Sequence, residues 1–225
     1  STHLFSSAAS DVYKRQSRTY LEYSDGIIRG IDFETNLFEL LALEKSTNLI
    51  LGSSFVSRFQ KDNNPKFNLP QNVGVYGLRS NLISGNFNYY LEYVHKYNDP
   101  AGSIADNSNN YATGNAIKTS LTYFQKGLGF SFDAHRVDNM EFRSERQQSK
   151  EYIINYIPTL SKQHSYTLLA FYPCATQSNG EIGFQSDLYY KFDRGTIFGG
   201  KYGTKININY SRVLALDLSL IHISE

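Results

Sequence analysis

The residues Gly195–Lys201 read GTIFGGK, which matches the opening of the glycine-rich loop that cradles phosphates in P-loop proteins. The next position should be Ser or Thr to hold magnesium, and here it is Tyr202. The segment also runs into residues that alternate like a strand, so no helix N-terminus is offered to a phosphate. A glycine-rich pair of strands at a bend is the better reading. The chain has 5 histidines. His3 and His222 sit in the chain ends; His95, His135 and His164 fall on separate candidate strands without close ligand partners. Asp133 and His135 share a strand face and could meet. Ser165 follows His164, but adjacent strand residues point to opposite faces, so these two cannot form a Ser–His pair by themselves. The single cysteine, Cys174, excludes a disulfide framework and a Cys-rich zinc site, and reads as a free thiol. Glu141–Lys150 (EFRSERQQSK) is a charged run whose arginine forks suit lipopolysaccharide phosphates or a partner, although a solvated loop is the simpler reading. The expectation is no enzyme: no catalytic residue, no cofactor and no metal.

The elements that carry these residues are strands. Period-2 alternation recurs along almost the whole chain. Phe87, Tyr89, Leu91 and Tyr93 oppose Asn88, Tyr90, Glu92 and Lys96. Ile117, Thr119, Leu121 and Tyr123 alternate with Lys118, Ser120 and Thr122, and Leu128, Phe130 and Phe132 with Ser131, Asp133 and His135. Ile182, Phe184, Leu188 and Tyr190 oppose Glu181, Gln185, Asp187 and Lys191. The spacing predicts strands over 27–34, 48–60, 72–83, 86–97, 115–125, 128–138, 149–158, 164–172, 181–192, 196–203 and 205–212. Residues 36–42 (NLFELLA) suit either a helical turn or a further strand.

The connections alternate in length. Lys61–Gln71, Asn98–Gly114 and Asp138–Lys150 are long, whereas Ser84-Gly85, Gln125–Gly127 and Asp193–Gly195 are tight. Pro158–Gln163 is short and Pro173–Gly180 intermediate. In an up-and-down meander, such alternation gathers tight turns at one end and long loops at the other, as in outer-membrane barrels. Greek-key sandwiches have no reason to obey it. Many runs also exceed the usual five or six residues of a globular strand and approach the ~9–11 needed to cross a bilayer at a tilt.

Composition sets the outer limits. The chain has 225 residues, 22 Lys+Arg against 21 Asp+Glu, and a formal charge of +1, which argues against a nucleic-acid partner. Its 18 Tyr and 15 Phe, with no Trp, make it too aromatic for disorder. No run reaches the roughly 18 apolar residues of a membrane helix. A mean hydropathy of −0.42 suits a soluble β domain or a membrane barrel whose polar lumen dilutes its apolar face, and does not choose between them.

Several stretches resemble an uncharacterised family of Bacteroidota-type outer-membrane β-barrels, a domain of unknown function. They include RTYLEYSDGIIRGIDFE (18–34), LGSSFVSRF (51–59), LPQNVGVYGLR (69–79), GNFNYYLEYVHKYNDP (85–100), QKGLGFSF (125–132) and RVDNMEFRSER (136–146). Others are INYIPTLSKQHSYTLLAFYP (154–173), NGEIGFQ (179–185) and GGKYGTKI (199–206). The resemblance implies a barrel in the outer membrane of a Gram-negative bacterium and brings no assigned activity. SAASDVYKRQ (7–16) and SLIHISE (219–225) resemble translated sequencing-adapter read-through, so 1–16 and 219–225 are expected to be artefactual tails around a barrel piece at 17–218.

The resulting expectation is an all-β, antiparallel up-and-down meander, a fragment of a transmembrane outer-membrane β-barrel with about ten or eleven strands present. Glu92, Lys96, Lys118, Asp133, His135, Glu181, Gln185, Asp187 and Lys191 are the candidate lumen-lining residues. The expected role is porin-like passage of small polar solutes, with outer-membrane lipid as a partner. The rivals are a structural or assembly barrel docking periplasmic or surface proteins, a barrel hydrolase using His135, and a soluble β-rich binding module.

Overall fold

The computed structural model describes residues 26–41, 47–61, 69–97, 99, 113–144, 153–160, 176–177 and 180–216. These form one eight-stranded antiparallel sheet in strict chain order. Its strands are β1 (Ile27–Asn36), β2 (Thr47–Phe59), β3 (Asn72–Ser84), β4 (Phe87–Lys96), β5 (Gly114–Gln125), β6 (Leu128–Asp138), β7 (Gly180–Phe192) and β8 (Thr204–Ala215). Among the described residues β1 and β8 do not pair with each other, so the sheet has two free edges. A single helical turn, α1 (Leu37–Leu40), follows β1. It settles the ambiguity at 36–42: the Asn36 side chain accepts a hydrogen bond from the Phe38 N–H at 3.2 Å and caps the turn.

The expected strand count is corrected. Among the described residues the sheet has eight strands where ten or eleven were anticipated for the chain. β6 pairs directly with β7, through Val137 against Glu181, and of the expected strand 149–158 the described residues 153–158 do not enter the ladder. The described part of that segment makes only an isolated bridge, Arg143 with Ile153. The expected strand at 164–172 lies outside the described residues, as do His164, Ser165 and Cys174. Residues 196–203 are turns rather than strand. Gly195, Gly200 and Gly203 take φ of 82°, 55° and 84°, which reverse the chain instead of extending it. Those turns end directly in β8, so the P-loop-like residues still precede a strand and not a helix.

The loop asymmetry survives in weakened form. Connections 60–71, 97–113 and 139–179 lie at one end, called here the long-loop end. The opposite end holds the tight turns 85–86 and 126–127, but also 37–46 and 193–203. The expectation that it would hold tight turns alone is therefore wrong.

The two faces differ in chemistry. The register Arg58↔Val73, Val75↔Lys96, Ala116↔Val137 and Val137↔Glu181 puts one residue set on a common face. That face carries Asp32, Arg58, Arg79, Glu92, Lys96, Lys118, Asp133, His135, Glu181 and Asp187. The other carries Ile31, Phe33, Phe55, Leu78, Leu121, Phe132, Phe184, Leu188 and Ile208. The charged face buries ions together with apolar residues such as Val73 and Val137, while large apolar residues of the other face stand exposed. Arg58 and Lys96 are 0% exposed, while Ile31 is 72% and Ile208 56% exposed. Charged groups are almost never fully buried without partners, and contiguous exposed apolar area marks a surface built to be covered.

Candidate functional site

The polar face gathers every lumen-lining candidate named from the sequence, whereas His95 falls on the apolar face. Glu92, Lys118 and His135 stand side by side on β4, β5 and β6, since Glu92 is opposite Lys118 and Lys118 opposite His135. Asp133 faces Gln185, whose side-chain amide donates to Asp187 at 2.9 Å. Lys96, His135 and Glu181 are buried at the long-loop end, and Lys191 is exposed at the other. The face is thus a strip of both charge signs running the length of the sheet.

Its deepest part is an ion-paired cluster that alternation did not reveal. The Arg58 guanidinium donates to Asp99 at 2.8 Å and to the Arg143 carbonyl at 2.9 Å, with both charged side chains fully buried. It also lies 5.6 Å from the centre of the Phe142 ring. Lys96 donates to the Glu141 carbonyl at 2.7 Å, and Arg143 pairs with the Glu141 carboxylate. Phe142 N–H donates to Asn155 at 3.0 Å and Ile154 N–H to the Phe142 carbonyl at 2.9 Å. Residues 139–144 and 153–160 therefore form a strap docked across the polar face, with its own Met140, Phe142 and Leu160 buried. A cavity of about 180 Å³ remains between strap and sheet, lined by Val94, Ala116, Val137, Met140, Phe142 and Ile157.

A second network ties the first strand to the sheet. Arg79 on β3 reaches across β2 to Asp32 (2.7 Å) and Glu34 (3.1 Å) on β1. It can do so because Gly52 lies beneath the guanidinium, where any Cβ would collide with it. These carboxylates are more than half exposed, so the pairs steer the edge strand more than they stabilise it.

Gly114 makes a testable point about the strap. It lies opposite Lys96, and an added Cβ would run into the Asn139 carbonyl and meet the Lys96 side chain at 3.0 Å. Gly114→Ala should destabilise the fold by about 1–3 kcal/mol, the usual cost of overpacking. Denaturant unfolding checks this, and a cost near zero would mean the strap is not seated there.

Asp133 and His135 share a face, but the imidazole turns to another acid. His135 Nε2 lies 2.7 Å from Glu181, which also accepts from the Gln177 N–H at 2.9 Å. A carboxylate only accepts, so Nε2 carries the proton and Nδ1 faces outward from the pair. Among the described residues that buried Nδ1 has no hydrogen-bond partner. Among the described residues no group of three or more His, Cys, Asp or Glu could hold a metal ion. No helix among them is long and apolar enough to cross a membrane, which does not bear on strands.

A model described as a family of unknown function (DUF6029) matches residues 11–221, nearly the whole chain. No curated protein and no solved structure matches.

Proposed function

We propose that this chain, which belongs to the DUF6029 family of unknown function, forms the wall of an outer-membrane β-barrel in a Gram-negative bacterium and passes small polar solutes along its charged face. The observation that carries the reading is the inverted partition of the sheet, with charge and ion pairs on one face and exposed Ile, Leu and Phe on the other. In water that apolar face would need a second layer, and among the described residues none packs on it. In lipid it is already solvated. Strands of 10–13 residues fit a tilted crossing of the hydrocarbon. Rings stand at both ends of the apolar face, where interfacial girdles would lie, and a further row, Phe132, Phe184 and Tyr210, crosses its middle. Tyr76, His95 and Tyr97 cluster at the long-loop end, with centroids 5.3–5.9 Å apart. Phe87 with Tyr123, and Tyr190 with Phe192, mark the other.

The free edges of β1 and β8 bear on closure. Hydrocarbon offers no partner to an unpaired N–H or C=O, so these edges must pair with each other or with further strands. No residue has a catalytic role in this reading.

The strap favours a second reading, a plugged barrel that docks periplasmic or surface proteins, because it occupies the polar face at one end. Planar-bilayer recording separates the two. The purified protein should give stepwise conductance that falls with the size of added polar solutes. A persistently silent bilayer would remove the passage and leave the plugged barrel.

A further inference from the structure

We infer that the apolar face carries, at its long-loop end, a belt of arginines that binds phosphate-bearing lipid headgroups of the adjacent leaflet. The inference rests on the membrane reading above and adds a ligand and a side to it.

The observation is where the charges on that face sit. By register, the outward-facing charged residues among the described strands are Arg29, Arg136, Asp138 and Arg212. Arg29 is near the start of β1 (Ile27–Asn36), Arg136 near the end of β6 (Leu128–Asp138), and Arg212 near the end of β8 (Thr204–Ala215). All three positions lie toward the long-loop end. At the opposite end the same face presents Phe87, Tyr123, Gln125, Leu128, Tyr190 and Thr204, none of them charged. On the strand face itself the two ends therefore differ in charge, while the turns beyond the uncharged end carry the exposed cations Lys126, Arg194 and Lys201.

Two of these arginines, Arg29 and Arg212, have no carboxylate partner among the described residues, and the third pairs with Asp138. On the polar face Arg58, Arg79 and Arg143 are each held by carboxylates. Outside, Arg29 donates to the neutral Asn72 amide at 3.1 Å and lies over the Phe59 ring at 5.7 Å. Arg136 meets Asp138 at 3.1 Å, with both side chains substantially exposed. Arg212 is exposed and has no carboxylate partner among the described residues. The belt keeps a positive excess at the depth where long side chains can bury their stems and lift their heads to the interface. A guanidinium fork is weakly hydrated and matches two phosphate oxygens, so a phosphomonoester is the group that fits.

The test uses the whole chain reconstituted into phosphatidylcholine vesicles containing a minor fraction of phosphatidic acid. Flotation after a carbonate wash reports insertion; extraction in mild detergent followed by lipid quantification reports which lipid travels with the protein. The wild type should float and co-purify phosphatidic acid in excess of its bulk fraction. Arg212→Gln should lower that enrichment by about fivefold, the effect of one basic residue at an anionic surface. Arg29→Gln/Arg136→Gln/Arg212→Gln should float normally and lose it. Insertion with no enrichment, or enrichment unchanged in the triple variant, overturns the belt and leaves the barrel reading standing. A wild type that fails to float overturns the barrel reading, and the belt with it.

Discussion

Arg58→Ala is expected to cost about 3–5 kcal/mol, because it strips the cation from a fully buried ion pair and leaves the Asp99 carboxylate in place. The loss reaches beyond one bond. The same guanidinium holds the Arg143 carbonyl and packs on Phe142, so the strap loses its main tie to β2. Lys96 would still hold the Glu141 carbonyl, and the strap should loosen at one end rather than leave. Denaturant unfolding of the refolded protein, followed by tyrosine fluorescence, measures the cost, and limited proteolysis within 139–160 reports the strap. A second variant separates ion pairing from folding failure. Arg58→Met/Asp99→Leu removes both charges and should recover most of the loss, since an apolar pair of similar volume often replaces a buried ion pair without penalty. A single-variant cost below about 1 kcal/mol would mean that the pair is solvated. In the passage reading, loosening the strap should also raise conductance.

The importance of Arg58 could not have been read from the sequence, and the reason is physical. Strand alternation reports which face a residue takes, not what it meets there. β4, β5, β6 and β7 are legible because, over the middle of each strand, large apolar residues mostly alternate with Asn, Glu, Lys, Ser and Asp. The placement of Glu92, Lys118, Asp133, Gln185 and Asp187 on one face followed from that alone. In β2 the run LGSSFVSRF puts serine on both faces, so its period is weak and Arg58 does not stand out. Its partner Asp99 comes from a loop that carries no period at all. The error at 196–203 has a different origin. TIFGGKYG contains enough Ile, Phe and Tyr to imitate a strand, but three glycines at positive φ and a hydrogen bond from Gly195 N–H to the Gly200 carbonyl (2.8 Å) close it into turns. Residues 153–158 (IINYIP) are rich in strand-forming Ile and Tyr. They lie instead in the strap, where Asn155 bonds to Phe142 and Pro158 offers no N–H to a ladder.

The reading of the apolar face makes the sharpest demand on a single side chain, Leu78. It stands at the middle of β3 (Asn72–Ser84), points away from the charged face, and is 53% exposed between Ser53 and Tyr93. In water an arginine at so open a position would move stability by no more than about 0.5 kcal/mol. At the midplane of a bilayer the same guanidinium must enter hydrocarbon or snorkel far to leave it, at a cost of about 2–4 kcal/mol. Leu78→Arg should therefore lose that amount when unfolding is measured in vesicles. Ser120→Arg provides the control. Its position faces the charged strip, opposite Tyr90 and Asp133, where a new guanidinium finds an acid at once and should be nearly neutral. The difference between the two variants matters more than either value, because both add the same side chain to a mid-strand position. If they cost the same, the faces are equally wet and the sheet belongs to a soluble β domain. If Leu78→Arg alone is destabilised, and the cost shrinks as the site is moved toward Tyr76, the apolar face is facing lipid and its depth is being read directly.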